Sequence, residues 1–193
     1  MATERITDRS LYRFAEEVKT QFSFLETSGF RCVRSEATFV RFESPTAGVN
    51  VYHGRQSFEI GLEIESASSP TDNYSLSEVL RLVDRKRGER YRNYATHTMQ
   101  GVAEGVRKLA ELFQHCIGIL NDKELFLHLR LQRKELAKDY ALETQLEQAR
   151  RKAEAAWRTK DYAAVVEALK PSRAALTETE VAKLEFAEKQ CGK

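Results

Sequence analysis

Three glutamates lie at alternating positions of one predicted β-strand. Glu59, Glu63 and Glu65 therefore project from the same face of that strand. Carboxylates grouped in this way could perform acid–base chemistry or bind a metal ion. A site on this face would combine Tyr52, His53, Glu59 and Glu63. The alternative, which the sequence favours, is a solvated outer face that discourages edge-to-edge association.

A second cluster is basic. Residues 85–94 read RKRGERYRNY, with five basic side chains within eight positions and Tyr91 among them. Such a segment could bind phosphates and stack a base. It is equally typical of a solvated helix junction whose basic groups pair with the acidic strand face. The predicted partner-binding or polyanion-binding residues are Arg85, Lys86, Arg87, Arg90, Tyr91 and Arg92.

The histidines and cysteines form no recognisable catalytic or metal-binding pattern. His53, His97, His115 and His128 lack metal-ligand spacing, and there is no Cys-x-x-Cys pair. No glycine cluster indicates a phosphate-binding loop. His53 falls in a predicted tight turn, which is typical of a surface residue, and Cys116 falls on an apolar helix stripe, which is typical of a core. We therefore predict no metal site, no cofactor and no catalytic residue.

The composition indicates a soluble protein of mixed charge. Its 31 basic and 29 acidic residues give a net charge of +2, which argues neither for nor against nucleic acid. Residues 1–73 carry 8 basic and 11 acidic side chains, whereas residues 74–193 carry 23 and 18. Three cysteines without a short pairing are typical of a reducing compartment. No window approaches the roughly 18 apolar residues of a membrane span, so we expect a cytoplasmic protein.

A change of hydrophobic period defines the elements that position these residues. Alternation of apolar residues between Phe30 and Glu65 predicts four strands, and the short turns at residues 44–48 and 53–56 favour an antiparallel meander. A helix from a Thr7–Asp8 cap to about Ser28, with an apolar stripe that begins at Leu11, is expected to cover the apolar face of this sheet. The predicted strands cover residues 30–35, 38–43, 48–53 and 57–65. Their predicted inward residues are Val40, Phe42, Val49, Val51, Phe58, Ile60, Leu62 and Ile64.

After Pro70 the sequence has mostly helical period. A polar link over residues 66–73 leads to a short helix that begins at Ser75, and a long helix is predicted over residues 94–120. Residues 124–132 alternate as an edge strand would. We favour helix there, because leucine is a good helix former and the continuation to Arg158 is helical.

These elements predict an α+β fold. An N-terminal helix packs on a four-stranded antiparallel meander sheet, and a mostly helical C-terminal half follows. We assign residues 1–145 to an α+β domain and residues 146–193 to a helical tail.

The tail resembles one tetratricopeptide repeat. Over residues 149–190 the order is helix, turn, helix, turn, helix, with Trp157 and Tyr162 at the first turn. Ala187 follows Ala153 by 34 residues, the period of that repeat. The alternative is an ordinary helical hairpin whose Trp157 and Tyr162 fill a local core.

Residues 37–65, with the pattern TFVRFES…VNVYHGRQSFEIGLEIE, resemble small bacterial proteins associated with toxin immunity or defence. The resemblance implies a protein that occludes the active surface of a partner protein. Combined with the absence of catalytic motifs, it predicts a non-catalytic protein-binding module. Nucleic-acid or polyanion binding through residues 85–92 is the alternative. An enzyme with an acidic site on the sheet face is the weakest hypothesis.

Overall fold

The structure, a computed structural model, describes residues 8–122 and 124–192. It divides into two units, Met1–Leu131 and Gln132–Lys193. The fold class is α+β, as predicted, with the antiparallel sheet in the first unit. The predicted domain boundary after residue 145 falls within one helix, Leu125–Arg158.

The part of the first unit that the structure describes contains a sheet of six antiparallel strands. Five of them follow the order β1-β2-β3-β4-β5, and β6 also pairs with β4. β5 pairs with the end of β4 near Ser66, and β6 pairs with its beginning at Glu59 and Ile60. The strands are β1 (Arg31–Glu36), β2 (Phe39–Glu43), β3 (Ala47–His53), β4 (Glu59–Ser66), β5 (Ser69–Ser75) and β6 (Tyr94–Ala95).

The four predicted strands are confirmed as β1 to β4, but the count of four was wrong. The predicted polar link over residues 66–73 is largely β5, an edge strand that contains Pro70. Proline is tolerated at a sheet edge because its missing N–H need not join a ladder. Backbone pairing with β4 holds β5 in place, and among the described side chains of this strand Tyr74 is buried.

One face of the sheet forms the main core. The predicted inward residues of β2, β3 and β4 are buried, which confirms the alternation. Phe58 is an exception, because it precedes β4 with a φ of 55° and is only half-buried. The confirmed core residues of these strands are Val40, Phe42, Val49, Val51, Ile60, Leu62 and Ile64.

Short helices cover this face instead of the single N-terminal helix predicted from residue 7 to residue 28. A 3₁₀ helix (Arg9–Tyr12) is followed by α1 (Phe14–Gln21) and α2 (Phe24–Thr27). Arg13, between the 3₁₀ helix and α1, has a left-handed backbone with a φ of 54°, which separates the two helices. Leu11 is 57% exposed, although the apolar spacing of the sequence predicted an inward position for it. Asp8 caps the 3₁₀ helix by accepting the Ser10 N–H, whereas Thr7 lies outside the described residues.

The helices after the sheet begin as predicted and then differ. α3 (Leu76–Val83) starts at Ser75, whose backbone N–H donates to Glu78 Oε2 at 2.9 Å. α4 (Arg85–Arg90) follows directly. The long helix predicted over residues 94–120 is divided into β6, α5 (Met99–Gln114) and a 3₁₀ helix (Ile117–Asn121). Thr98 caps α5 by accepting the Gly101 N–H, which explains why this helix begins after β6.

Residues 124–132 are helical rather than an edge strand, because α6 (Leu125–Arg158) includes most of them. In the second unit the end of α6 is followed by α7 (Tyr162–Leu169), a 3₁₀ helix (Lys170–Ala175) and α8 (Glu178–Cys191). Ala153 and Ala187, the residues spaced by 34, are both buried in the core of this unit. None of the described helices is sufficiently long and apolar to cross a membrane.

Candidate functional site

A groove of about 530 Å³ runs beside α4 in the first unit. Its walls combine basic side chains with the half-buried side chains of Tyr91 and Leu112. Four of the six residues predicted from the basic segment therefore line one surface feature. The lining residues are Asp84, Lys86, Arg87, Arg90, Tyr91 and Leu112.

The basic side chains of this segment divide into two groups. Arg85 Nε lies 2.9 Å from Glu89 Oε1, and Arg92 donates to the carbonyl oxygens of Glu89 and Tyr91. By contrast, the exposed side chains of Lys86, Arg87 and Arg90 form no hydrogen bond or ion pair with any described residue. These three side chains, which line the groove, are therefore available to an acidic ligand.

Local packing explains why the segment presents its charges outward. The Asp84 carboxylate caps α4 by accepting the Arg87 N–H at 3.1 Å. Gly88 is buried, and a Cβ there would lie 2.6 Å from the Arg81 backbone nitrogen and 2.8 Å from the Ser77 carbonyl oxygen. Glycine thus allows α4 to lie directly against α3, while the long side chains on either side of Gly88 point into solvent.

Tyr91 lies between the groove and the main core. It is half-buried and packs against the main core. Burial, followed by the nearby Tyr52 and Glu59, raises the pKa of its hydroxyl. A role in base stacking, which needs an exposed aromatic face, stays a prediction for this residue. Tyr91 joins the basic segment to the polar face of the sheet.

The polar face of the sheet contains a buried ionic network that the sequence did not predict. Arg41 forms ion pairs with Glu65 and with Glu43, the latter at 2.6 Å, and it donates to Asn50 Oδ1 at 3.0 Å. Asn50 also donates to Glu65 Oε2 at 3.2 Å. The expected solvated acidic face was wrong for Glu65, which is only 5% exposed. The carboxylate uses Arg41, not the basic segment, as its partner.

Glu63 and Tyr52 lie on the same face and are half-buried. Burial raises the pKa of Glu63, and the neighbouring Glu65 and Glu78 add to the effect. Burial also raises the pKa of Tyr52, whose ring lies over Gly61 of β4, where a Cβ would overlap it.

His53 is not a surface residue of a turn, so this prediction was wrong. It is the last residue of β3, and it shares the core face with Val49 and Val51 because strand side chains alternate. The residue is only 1% exposed. The structure therefore places Tyr52, Glu59 and Glu63 on one face of the sheet and His53 on the other.

Cys116 is fully buried in the core, as predicted, and burial raises the pKa of its thiol. Among the described residues, no group of three or more histidine, cysteine, aspartate or glutamate side chains is arranged to hold a metal ion. The α4 groove, by contrast, is lined by three basic side chains that have no partner among the described residues.

Comparison with known proteins adds no assignment to this geometry. No family model, no curated protein and no solved structure matches the chain. A function for the groove is therefore inferred from the side chains that line it. Leu112 is a lining residue that sequence reasoning missed, since its helical spacing indicated only a core position.

Proposed function

We propose that this protein is a non-catalytic binding module and that the α4 groove holds an acidic segment of a partner protein. The observation that carries the proposal is the set of three exposed basic side chains, Lys86, Arg87 and Arg90, which have no partner in the described part of the chain. Complementary charge would speed association and set the orientation of the partner.

Two features favour a protein over a nucleic acid. Leu112 and Tyr91 give the groove a partly apolar wall, which suits a peptide with both acidic and apolar side chains. Tyr91 is half-buried against the main core, which limits the aromatic surface on which a single-stranded nucleic acid could stack. Nucleic-acid or polyanion binding remains the second candidate, because the same three charges would attract phosphates.

The resemblance of residues 37–65 to immunity and defence proteins supports a more specific form of this proposal. The partner would be a protein whose active surface is covered when its acidic segment enters the groove. We also propose a cytoplasmic location, which the free thiols of Cys32, Cys116 and Cys191 support.

Reversing the charge of the groove is expected to abolish partner capture. The variant Lys86→Glu/Arg87→Glu/Arg90→Glu should bind the partner at least about tenfold more weakly, because three exposed ion pairs of roughly 0.5–1 kcal/mol each are replaced by repulsion. The measurement is affinity purification from the native cell with nuclease treatment, followed by titration of the captured protein.

A matched control separates the groove from general charge. Lys19, Arg31 and Arg55 are also exposed and have no ion pair with any described residue, so the variant Lys19→Glu/Arg31→Glu/Arg55→Glu changes the net charge equally. It should retain the partner. Equal loss in both variants, or capture that disappears on nuclease treatment of the wild type, would contradict the proposed function.

A further inference from the structure

The N-terminal segment is fastened to the sheet by Arg9. Its Nη2 donates to the carbonyl oxygens of Gly54, at 2.7 Å, and His53, at 3.2 Å. The guanidinium also lies 4.2 Å from the centre of the Phe58 ring, which is cation–π geometry. Arg9 therefore holds the 3₁₀ helix Arg9–Tyr12 against the turn between β3 and β4.

The imidazole of His53, whose carbonyl oxygen accepts from Arg9, is enclosed by three aromatic rings. The ring centres of Tyr12, Phe14 and Phe58 are 5.4, 5.8 and 5.9 Å from its own. Nε2 lies 3.3 Å from the Thr96 carbonyl oxygen, whereas Nδ1 is buried and makes no hydrogen bond of ordinary geometry with any described residue. The enclosure suits a neutral ring, because a buried charge without a counter-ion is costly.

Among the described residues, the charged and titratable groups around His53 do not supply a counter-ion. Arg9 and Tyr12 face it from the 3₁₀ helix. His97 lies near it in the segment before α5, with its ring centre 4.1 Å from that of Phe58 and the two rings tilted. No described carboxylate pairs with Arg9 or with His53. A proton on His53 would therefore place a second positive charge beside the Arg9 guanidinium in an apolar environment.

We propose that residues 8–13 form an acid-released latch in which His53 is the sensor. When His53 is neutral, the 3₁₀ helix packs over its ring and Arg9 binds the β3–β4 turn. When His53 gains a proton, repulsion and the cost of charge burial favour a state in which Arg9 leaves the turn and water reaches the imidazole. The released state exposes the rings of Tyr12 and Phe58.

The direction of the pH effect follows from the two states. Burial, and then Arg9, lower the pKa of His53 in the latched state, although the carbonyl groups of Thr96 and Phe58 partly oppose this. In the released state the group has its ordinary pKa of about 6.5. The latch therefore keeps its full strength above about pH 6.5 and weakens as the pH falls below that value.

Amide hydrogen exchange of the intact chain tests this latch. Protection of the peptide covering residues 8–22, corrected for intrinsic exchange rates, should be constant from pH 8 to 7. It should then fall by up to about tenfold per pH unit between pH 6.5 and 5, the limit for one proton. A peptide covering residues 178–191 of the second unit should show no such fall.

Two variants identify the sensor. His53→Phe keeps a ring in the enclosure and should remove the pH dependence, whereas His97→Gln should keep it. If His53→Phe does not fold, NMR titration of the His53 ring in the wild type decides the matter. A ring pKa of 6.5 or above, or protection of residues 8–22 that is independent of pH, would overturn the proposal.

Discussion

Replacing Phe22 by alanine is expected to lower the free energy of unfolding of the first unit by about 3–5 kcal/mol. Phe22 is fully buried at the end of α1. Its ring stacks on that of Phe42 in β2 and lies 6.3 Å from that of Phe113 in α5. The residue joins the N-terminal helices, the sheet and α5, so truncation leaves a cavity where three layers meet.

The measurement is urea denaturation followed by amide exchange of β3 and β4. The single tryptophan, Trp157, lies in the second unit, and its fluorescence reports on that unit in the same samples. Phe24→Ala is the matched control. Phe24 is only half-buried, so this substitution should lower the free energy of unfolding clearly less than Phe22→Ala does. A loss below about 1 kcal/mol for Phe22→Ala would contradict the described core.

Replacing Arg41 by methionine is expected to lower the free energy of unfolding by about 2–3 kcal/mol. Methionine retains much of the apolar stem but leaves the buried Glu65 carboxylate without its counter-ion. Removing one partner of a fully buried pair costs roughly 3–5 kcal/mol. Because 25% of the Arg41 side chain is exposed, solvent weakens this pair, and we expect the smaller cost of about 2–3 kcal/mol. The measurement is chemical denaturation at pH 7.

Acidification provides a second test of this network. Arg41, and then Asn50, hold the pKa of Glu65 below its ordinary value. The ionised Glu65 carboxylate therefore stabilises the fold fully above about pH 4.3, and this stabilisation is lost as the pH falls through the lowered pKa. The difference between wild type and Arg41→Met should therefore shrink in acid. Arg34→Met, which breaks an exposed pair with Glu36, should cost less than about 1 kcal/mol. Equal effects of both variants at pH 7 would count against the buried network.

The fold could be predicted from the sequence where one face of an element is apolar and the other is polar. Strands β2, β3 and β4 satisfy this condition, and their inward residues were predicted correctly. β5 does not satisfy it, because its place depends on backbone hydrogen bonds to β4. The N-terminal helix was predicted as one element because the apolar spacing around Arg13 carries no sign of its left-handed backbone.

The candidate site could likewise be predicted from the sequence only in part. The basic segment is visible from composition, but the side chains that remain unpaired depend on how Gly88 packs α4 against α3. The pairing of Arg41 with Glu65 spans 24 positions and requires the register of three strands. His53 is different, because its parity with Val49 and Val51 was present in the sequence. His53 was the shared end of the predicted strand 48–53 and of the predicted turn 53–56, and the error came from interpreting it as a turn residue.

Site-specific photo-cross-linking in the native cell tests the central claim most directly. A photoreactive phenylalanine analogue in place of Arg90, in the groove, is compared with the same analogue in place of Arg55, an exposed arginine outside it. We predict one discrete protein adduct from position 90, resistant to nuclease, and none from position 55. A nuclease-sensitive adduct, or the same adduct from both positions, would contradict the assignment of the α4 groove to a protein partner.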